Sequence, residues 1–382
     1  MDLEYDTEQV ILRNSAEKFL AENYDYATFR KTSESQAGFS RDIWHEFARL
    51  GWLGLPFPPD DGGSGGGAVE LAILMQAFGN HLVIEPYLAT VVLGGGLVAS
   101  LGSAAERAAI LPSVIEGRHL LAFAHEDASS PTQAQQFTEG YVLQGTKKVV
   151  LGGAMADTLL VPARLAEDRI GVFAVPRNTH GLTVRPCRLI DGSRAADVAL
   201  AGVAVPRFAL VGGNDDAGAA VEAVLHRAIA ALSADAVGAI AAIVGATVDY
   251  AKTRVQFGQP LASFQALQHR MVGIKVKEEE ARASSLFATL SLDGPTEDRA
   301  RAVSGAKAKI GRCARFVHQE AIQLHGAIGT TDELSLGAYV KRLVAYEILF
   351  GSTREHLRRY GTIIADPEVA AQGMIMSAAR DQ

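Results

Sequence analysis

The stretch from Tyr250 to Leu261, Tyr-Ala-Lys-Thr-Arg-Val-Gln-Phe-Gly-Gln-Pro-Leu, is the most specific chemistry-bearing run in the sequence. A helical pattern ends with Arg254 in its last turn, where the helix dipole favours a cation. Gly258 and Pro260 then turn the chain, and a second helix is expected to begin near Phe264. Physics alone gives a helix hairpin with a guanidinium beside its turn. A second run, Gln323-Leu-His-Gly-Ala-Ile-Gly329, reads alone as a helix C-cap. Asp235 is the single charge between Ala228 and Val248. Burying an unpaired carboxylate is costly, so Asp235 needs a partner, a raised pKa or a function, and it is the candidate catalytic base. The run Gly62-Gly-Ser-Gly-Gly-Gly67 invites a dinucleotide fingerprint through Gly63-x-Gly65-x-x-Ala68. That fingerprint requires a strand before it and a helix after it, and the preceding segment is Pro-rich. No Lys-Ser/Thr follows for a P-loop, so a mobile surface loop is the expectation.

The elements that must position these residues fall into three segments. Residues 1–118 read as a helical domain, with helices over Glu8–Glu22 (Thr7 as N-cap), Arg41–Leu50, Ala68–Phe78, Tyr87–Leu101 and Ala104–Gly117. Over 119–212 the period shortens to β-type runs such as Leu121–Ala124, Tyr141–Leu143, Lys148–Leu151, Thr158–Val161, Gly171–Val175 and Ala196–Leu200. Their spacing predicts a small antiparallel barrel or sandwich. Over 213–382 the helical period returns as Gly218–Thr253, Phe264–Leu290, Thr296–Leu324 and Leu336–Tyr360, a four-helix bundle. The fold class is α+β, ordered α, β, α.

Bulk properties exclude several function classes. Among 382 residues 48% are hydrophobic and 21% charged, with net charge −7. Lys and Arg form no basic stripe, so nucleic acid is not an expected partner. Cys187 and Cys313 have no Cys-x-x-Cys neighbour and read as inert thiols in a reducing compartment; no metal site is expected. The acidic Met1–Asp6 segment lacks a signal-peptide pattern. Ala228–Val248 is rich in Ala and Gly and reads as a buried bundle helix rather than a membrane span. A cytoplasmic protein is the expectation.

The sequence resembles the acyl-CoA dehydrogenase family over nearly its whole length. Arg254-x-x-Phe257-Gly matches the family's Arg-x-x-Phe-Gly signature, continued by Phe264-Gln-x-x-Gln268-His269. Gln323-Leu-His-Gly326-Ala-Ile-Gly329 is similar to the family's Gln-x-x-Gly-Gly-x-Gly, and Leu50-Gly-Trp-Leu-Gly-Leu-Pro to part of its N-terminal domain. Gly145-x-Lys147 with Ala156-Asp157, and Asp191–Pro206, resemble its β-domain. Glu85-Pro-Tyr-Leu, Asp191-Gly-x-Arg-Ala-Ala-Asp and Leu349-Phe-Gly narrow the likeness to small subunits of pimeloyl-CoA dehydrogenase. They are also similar to paired enzymes acting on dicarboxylyl- or steroid-side-chain-CoA esters. The resemblance implies FAD as cofactor, an acyl-CoA substrate, an electron-transfer acceptor and a dimer or tetramer with the same or a homologous subunit. It also implies that Arg254, Gln256, Phe257, Gln323 and Gly326 hold the FAD of a neighbouring subunit. Arg suits a pyrophosphate because its planar fork donates two hydrogen bonds.

The family pattern breaks at the chemistry. Desaturation of an acyl thioester needs a carboxylate to take the α-proton while a hydride leaves the β-carbon. The family's base is a Glu before Gly-Thr, and here that position is Phe350, followed by Gly351 and Ser352. Glu347 lies about one turn away and reads as an exposed salt-bridging residue. A position used for the base by some relatives aligns with Ala228, two turns before Asp235. Where the family has Trp-Ile-Thr against the flavin ring, this chain has Val149-Val-Leu151, and His125-Glu-Asp replaces Thr-Glu-Pro. The groups serving a neighbour are kept while local groups are altered. The chain is therefore expected to be an FAD-dependent acyl-CoA dehydrogenase subunit that completes a partner's FAD site. The alternatives are an active homo-oligomeric dehydrogenase using Asp235 or another base, a non-catalytic structural subunit of a heterotetramer, and an oxidase-type flavoprotein.

Overall fold

The computed structural model describes residues 4–166, 169–213 and 216–365. Met1–Leu3 of the acidic N-terminus, and the part of the C-terminal segment beyond 365, lie outside the described residues.

In chain order the helices α1 (Thr7–Asn23), α2 (Tyr26–Glu34), α3 (Arg41–Arg49) and α4 (Ala68–Asn80) come first. A π-helical turn, Leu88–Gly95, runs into α5 (Gly96–Leu101), and α6 (Ala104–Ile115) follows. Strands β1 (Leu121–Phe123), β2 (Gln133–Phe137), β3 (Gly140–Leu151), β4 (Thr158–Arg164), β5 (Ile170–Pro176), β6 (Leu182–Arg188) and β7 (Arg194–Pro206) make the middle. Then come α7 (Gly218–Thr253), the short β8 (Val255–Gln256) and β9 (Gln259–Pro260), α8 (Gln265–Leu290), α9 (Thr296–His325), α10 (Leu336–Ile348) and α11 (Thr353–Ala365).

These elements pack as two compact units. One holds the described chain up to Lys31, Ala68–Val83 and the described chain from Ile229 onward; the other holds Thr32–Gly67 and Ile84–Ala228.

In the second unit β2–β3–β7–β6 form an antiparallel run, and β4 pairs antiparallel with β5. The sheet is not purely antiparallel as expected: β1 lies parallel to β4, Leu121 opposite Thr158. The β2–β3 hairpin intervenes in sequence between β1 and β4 and allows the parallel return. Leu143, Val161, Phe173, Val198 and Leu200 line its core. The runs Tyr141–Leu143 and Lys148–Leu151 belong to one long strand, β3, whose register slips between Lys147 and Val150. Val149 sits in that bulge at φ 47°, a strained conformation for a β-branched residue. The Gly62–Gly67 loop is at the surface but is held rather than mobile. The N–H groups of Ser64, Gly65 and Gly66 donate to the carbonyls of Gly54, Phe57 and Leu55. A Cβ on Gly63 would lie 2.1 Å from the Phe57 carbonyl oxygen, so the glycines allow close backbone approach and leave no amide cradle for phosphate.

The first unit is helical. The N-cap of α1 is Asp6, one residue before the expected Thr7, because its carboxylate accepts the Gln9 N–H while the Gln9 side chain returns to the Asp6 N–H. α4 and α7 cross at two glycines: a Cβ on Gly79 would lie 1.8 Å from the Asp235 carbonyl oxygen, and one on Gly238 1.9 Å from that of Gln76. α7 is long and apolar enough to span a membrane, but most of its apolar stretch is buried in protein, as expected of a core helix. The expected fourth bundle helix, Leu336–Tyr360, is two helices. Leu349 turns extended and Phe350 and Gly351 take φ 58° and 103°, so the described part of the bundle region has five helices.

Candidate functional site

The tip between α7 and α8 is a two-stranded turn. Val255 pairs with Pro260 and Gln256 with Gln259, and the Leu261 N–H closes it on the Arg254 carbonyl at 2.9 Å. Phe257 and Gly258 at its centre both have positive φ, 54° and 81°, the geometry of a type I′ turn, which favours Asn-Gly or Gly-Gly. A left-handed aromatic residue is disfavoured there by roughly 1–2 kcal/mol. Yet Phe257 is 92% exposed, and its ring meets only Phe264, edge-on, among the aromatics. Neither burial nor backbone preference explains a phenylalanine at this tip. Arg254 is exposed and forms no ion pair among the described residues. The Gln256 amide donates back to the Val255 carbonyl, which steadies the tip.

The second run lies against the first. α9 ends where Gly326 takes φ 67°, leaving Gln323 and Gly326 exposed. Tyr250, one turn before Arg254, stacks on His325 with ring centroids 4.4 Å apart and donates its hydroxyl to the His325 carbonyl at 3.3 Å. The His325 Nδ1–H is given to the Ala321 carbonyl at 2.8 Å, and burial pushes the imidazole pKa down, so the ring stacks neutral. The ends of α7 and α9, and with them all five expected cofactor contacts, are thus held side by side. Sequence reasoning missed the Tyr250–His325 link, although two aromatic rings two and four residues from the named groups are a usable sign.

Asp235 is 1% exposed and has a partner. Arg342 of α10 grips it in bidentate fashion, Nε to Oδ1 at 2.9 Å and an Nη to Oδ2 at 2.6 Å. Such a fork engages one lone pair on each carboxylate oxygen and ties α7 to α10, an arrangement that favours a structural ion pair over a base left open to an α-proton. Of the three options left open by sequence, geometry supports the partner.

At the break between α10 and α11 the position expected to bear the base carries Phe350, buried. Glu347 pairs with Arg315 of α9, the salt bridge read from sequence, although it is half-buried rather than exposed. Two groups that sequence reasoning did not single out surround the break. Lys307 of α9 is 1% exposed and donates to the carbonyls of Tyr346 (2.6 Å), Gly351 (3.1 Å) and Glu347 (3.4 Å). His356 of α11, fully buried, gives Nε2–H to the Phe350 carbonyl at 2.9 Å, with Nδ1 3.3 Å from the Ser304 hydroxyl. Burial depresses the Lys307 pKa to about 7 and that of His356 to about 4.

In the β-sheet unit the loop that replaces Thr-Glu-Pro is welded to β3. Asp127 accepts from the Thr132 N–H and hydroxyl and pairs with buried Lys147 at 2.8 Å. His125 is half-buried; burial, and then the Lys147 charge, push its pKa down to about 4. Val149 gives its N–H to Asp197. The polar groups here are spent on one another, and Val149, Val150 and Leu151 offer neither an indole face nor a hydroxyl. Cys187 and Cys313 are free thiols, and no cluster of metal-binding side chains occurs among the described residues.

Residues 6–118 match the N-terminal domain, and residues 218–363 the C-terminal domain, of acyl-CoA dehydrogenases. The chain is 29% identical over 351 residues to acyl-CoA dehydrogenase FadE12 of Mycobacterium tuberculosis, covering 87% of this chain and 89% of that protein. Among solved structures it is similar to a chain of the ChsE4-ChsE5 complex from Mycobacterium tuberculosis, at 25% identity and TM-score 0.89, covering 96% and 99% of the two chains. It is likewise similar to a variant of the Tcur3481-Tcur3483 steroid ACAD, at 28% identity and TM-score 0.86, covering 95% and 99%.

Proposed function

The chain belongs to the acyl-CoA dehydrogenase family of FAD-dependent oxidoreductases, and we propose that within it this subunit completes the FAD site of a homologous partner. The observation that carries this reading is the α7–α8 tip: an exposed left-handed Phe257 beside an exposed Arg254, next to Gln323 and Gly326. These residues fit a group presented from outside the chain. The Arg254 fork suits a pyrophosphate, the Phe257 ring offers an apolar face, and the Gln256 and Gln323 amides suit ribose or adenine edges. FAD, when bound there, supplies hydride acceptance from the acyl β-carbon. The reaction is α,β-desaturation of an acyl-CoA thioester, with electrons passed to an external acceptor in the cytoplasm.

The local residues do not fit the ring end of a flavin or the proton abstraction. Phe350 cannot take a proton, Asp235 is committed to Arg342, and the Lys147–Asp127 loop is closed on itself. The base therefore comes from the partner subunit, and this chain binds and orients. The paired assemblies in the ChsE4-ChsE5 and Tcur3481-Tcur3483 structures support a heteromeric reading. The test is FAD content after co-expression with a homologous subunit that retains a carboxylate before Gly-Thr. Flavin should be retained by the complex and fall on Arg254→Ala; unchanged FAD in the variant complex would remove the proposal.

A further inference from the structure

Two buried side chains capture four carbonyls around the α10–α11 break, those of Tyr346, Glu347, Phe350 and Gly351. Tyr346 and Glu347 belong to the last turn of α10, whose carbonyls have no helical partner ahead of them. Gly351 lies beyond the break, and Lys307 Nζ reaches both sides, 2.6 Å from the Tyr346 oxygen and 3.1 Å from the Gly351 oxygen. His356 takes the Phe350 oxygen that lies between them.

One face of α9 supplies the support. Ser304, Lys307 and Gly311 are spaced i, i+3, i+7 and so lie on the same side. Ser304 meets the His356 ring, and a Cβ on Gly311 would lie 2.2 Å from the Thr353 hydroxyl, so α9 passes directly under the start of α11. Lys307 also sits 4.2 Å from the Tyr346 ring centroid, and the Tyr346 hydroxyl donates to the Lys307 carbonyl at 3.4 Å. Packing alone does not call for an ammonium here, since an apolar side chain of similar volume is often as good or better at a buried site. What an apolar side chain cannot do, and a multi-donor amino group can, is draw carbonyls from both sides of the break toward one point.

We propose that Lys307 is a positioning residue that, with His356, forces the backbone at position 350 into its left-handed conformation and so dictates where the side chain at 350 is presented. In this chain the occupant is a phenylalanine. The inference concerns the break alone and is independent of whose FAD the α7–α8 tip serves.

Hydrogen exchange of the full-length protein, read by mass spectrometry over residues 349–356, tests it. The reporting amides are those of Leu349, Gly351 and His356, bonded to the carbonyls of Ala345, Ile348 and Ser352. Lys307→Met should speed exchange there about tenfold and leave α7 peptides unchanged, as expected for local opening. With Phe350→Gly, which needs no forcing into positive φ, the same Lys307→Met change should cost less than about threefold. Lys307→Arg, a cation with carbonyl-directed N–H groups, should stay near wild type and serves if the Met variant fails to fold. Equal acceleration with and without the Phe350→Gly change would make Lys307 a packing residue only. Acceleration spread over the whole helical unit, or an Arg variant as loose as the Met variant, would equally overturn the proposal.

Discussion

The α7–α8 tip and the α10–α11 break belong to the same helical unit and use the same unusual device, a non-glycine residue at positive φ, in opposite ways. At the tip, Phe257 is left-handed and 92% exposed, with Arg254 exposed beside it. At the break, Phe350 is left-handed and buried, and its flanking carbonyls are taken by Lys307 and His356. Strain that the interior accounts for is a folding device; strain that nothing in the chain accounts for points outward, to something the chain binds.

The contrast can be broken first at the interior. Arg342→Ala removes the bidentate partner of buried Asp235 and should lower stability by about 3–5 kcal/mol, read as a shift in urea midpoint, whereas Asp235→Asn with Arg342→Met should recover much of it. The exterior should behave inversely. Arg254→Ala should change the stability of the lone chain by no more than ~0.5 kcal/mol. In the assembled enzyme it should weaken FAD binding by ~10–100-fold, the worth of a charged hydrogen-bond pair, read by flavin titration.

Acid sharpens the difference further. His356 is held neutral, its pKa moved from 6.5 to about 4 by burial, with Arg359 and Lys307 acting in the same direction and the Phe350 carbonyl and Glu355 against it. Between those two values the unfolded chain binds a proton that the folded chain refuses. Stability is therefore lost as pH falls from 6.5 through about 4, by on the order of 1–3 kcal/mol from this group. Lys307 acts with the same sign at higher pH, since its folded pKa of about 7 lies below 10.5. Both faces of the break thus favour rising pH. His356→Gln should flatten part of the acid limb in pH-dependent melts; an unaltered limb would mean that His125, which shares the window, dominates it. The smallest effect is expected at the tip: Phe257→Gly should raise lone-chain stability by up to ~1 kcal/mol while weakening FAD binding in the complex.

The legible parts of the molecule were those written in local period and composition. The Ala- and Gly-rich run of α7 announced a helix buried on nearly all sides, and the hairpin at Arg254 was visible from Gly258 and Pro260. Strands β2 and β6 escaped because Gln133–Phe137 is largely polar and exposed, and the alternation in Leu182–Arg188 is confined to Leu182 and Val184 ahead of Pro186. The α10–α11 break escaped because apolar residues at Leu343, Tyr346 and Phe350 carry the helical period straight across it. The sign was there in Ser352-Thr-Arg-Glu355, whose side chains form a reciprocal cap at the start of α11. The partner of Asp235 lies 107 residues away, beyond the reach of any periodicity. Lys307 hides between Ala306 and Ala308 on a small-residue face, where a lone lysine reads as solvated until the fold buries it.

The most direct measurement of the central claim is the flavin-to-protein ratio of this chain purified alone and then co-expressed with a base-bearing homologous subunit. Flavin absent from the lone chain, present in the complex at one FAD per pair of subunits, and lost from the complex on Arg254→Ala is the predicted result. A full complement of FAD in the lone chain, with turnover of an acyl-CoA, would contradict it.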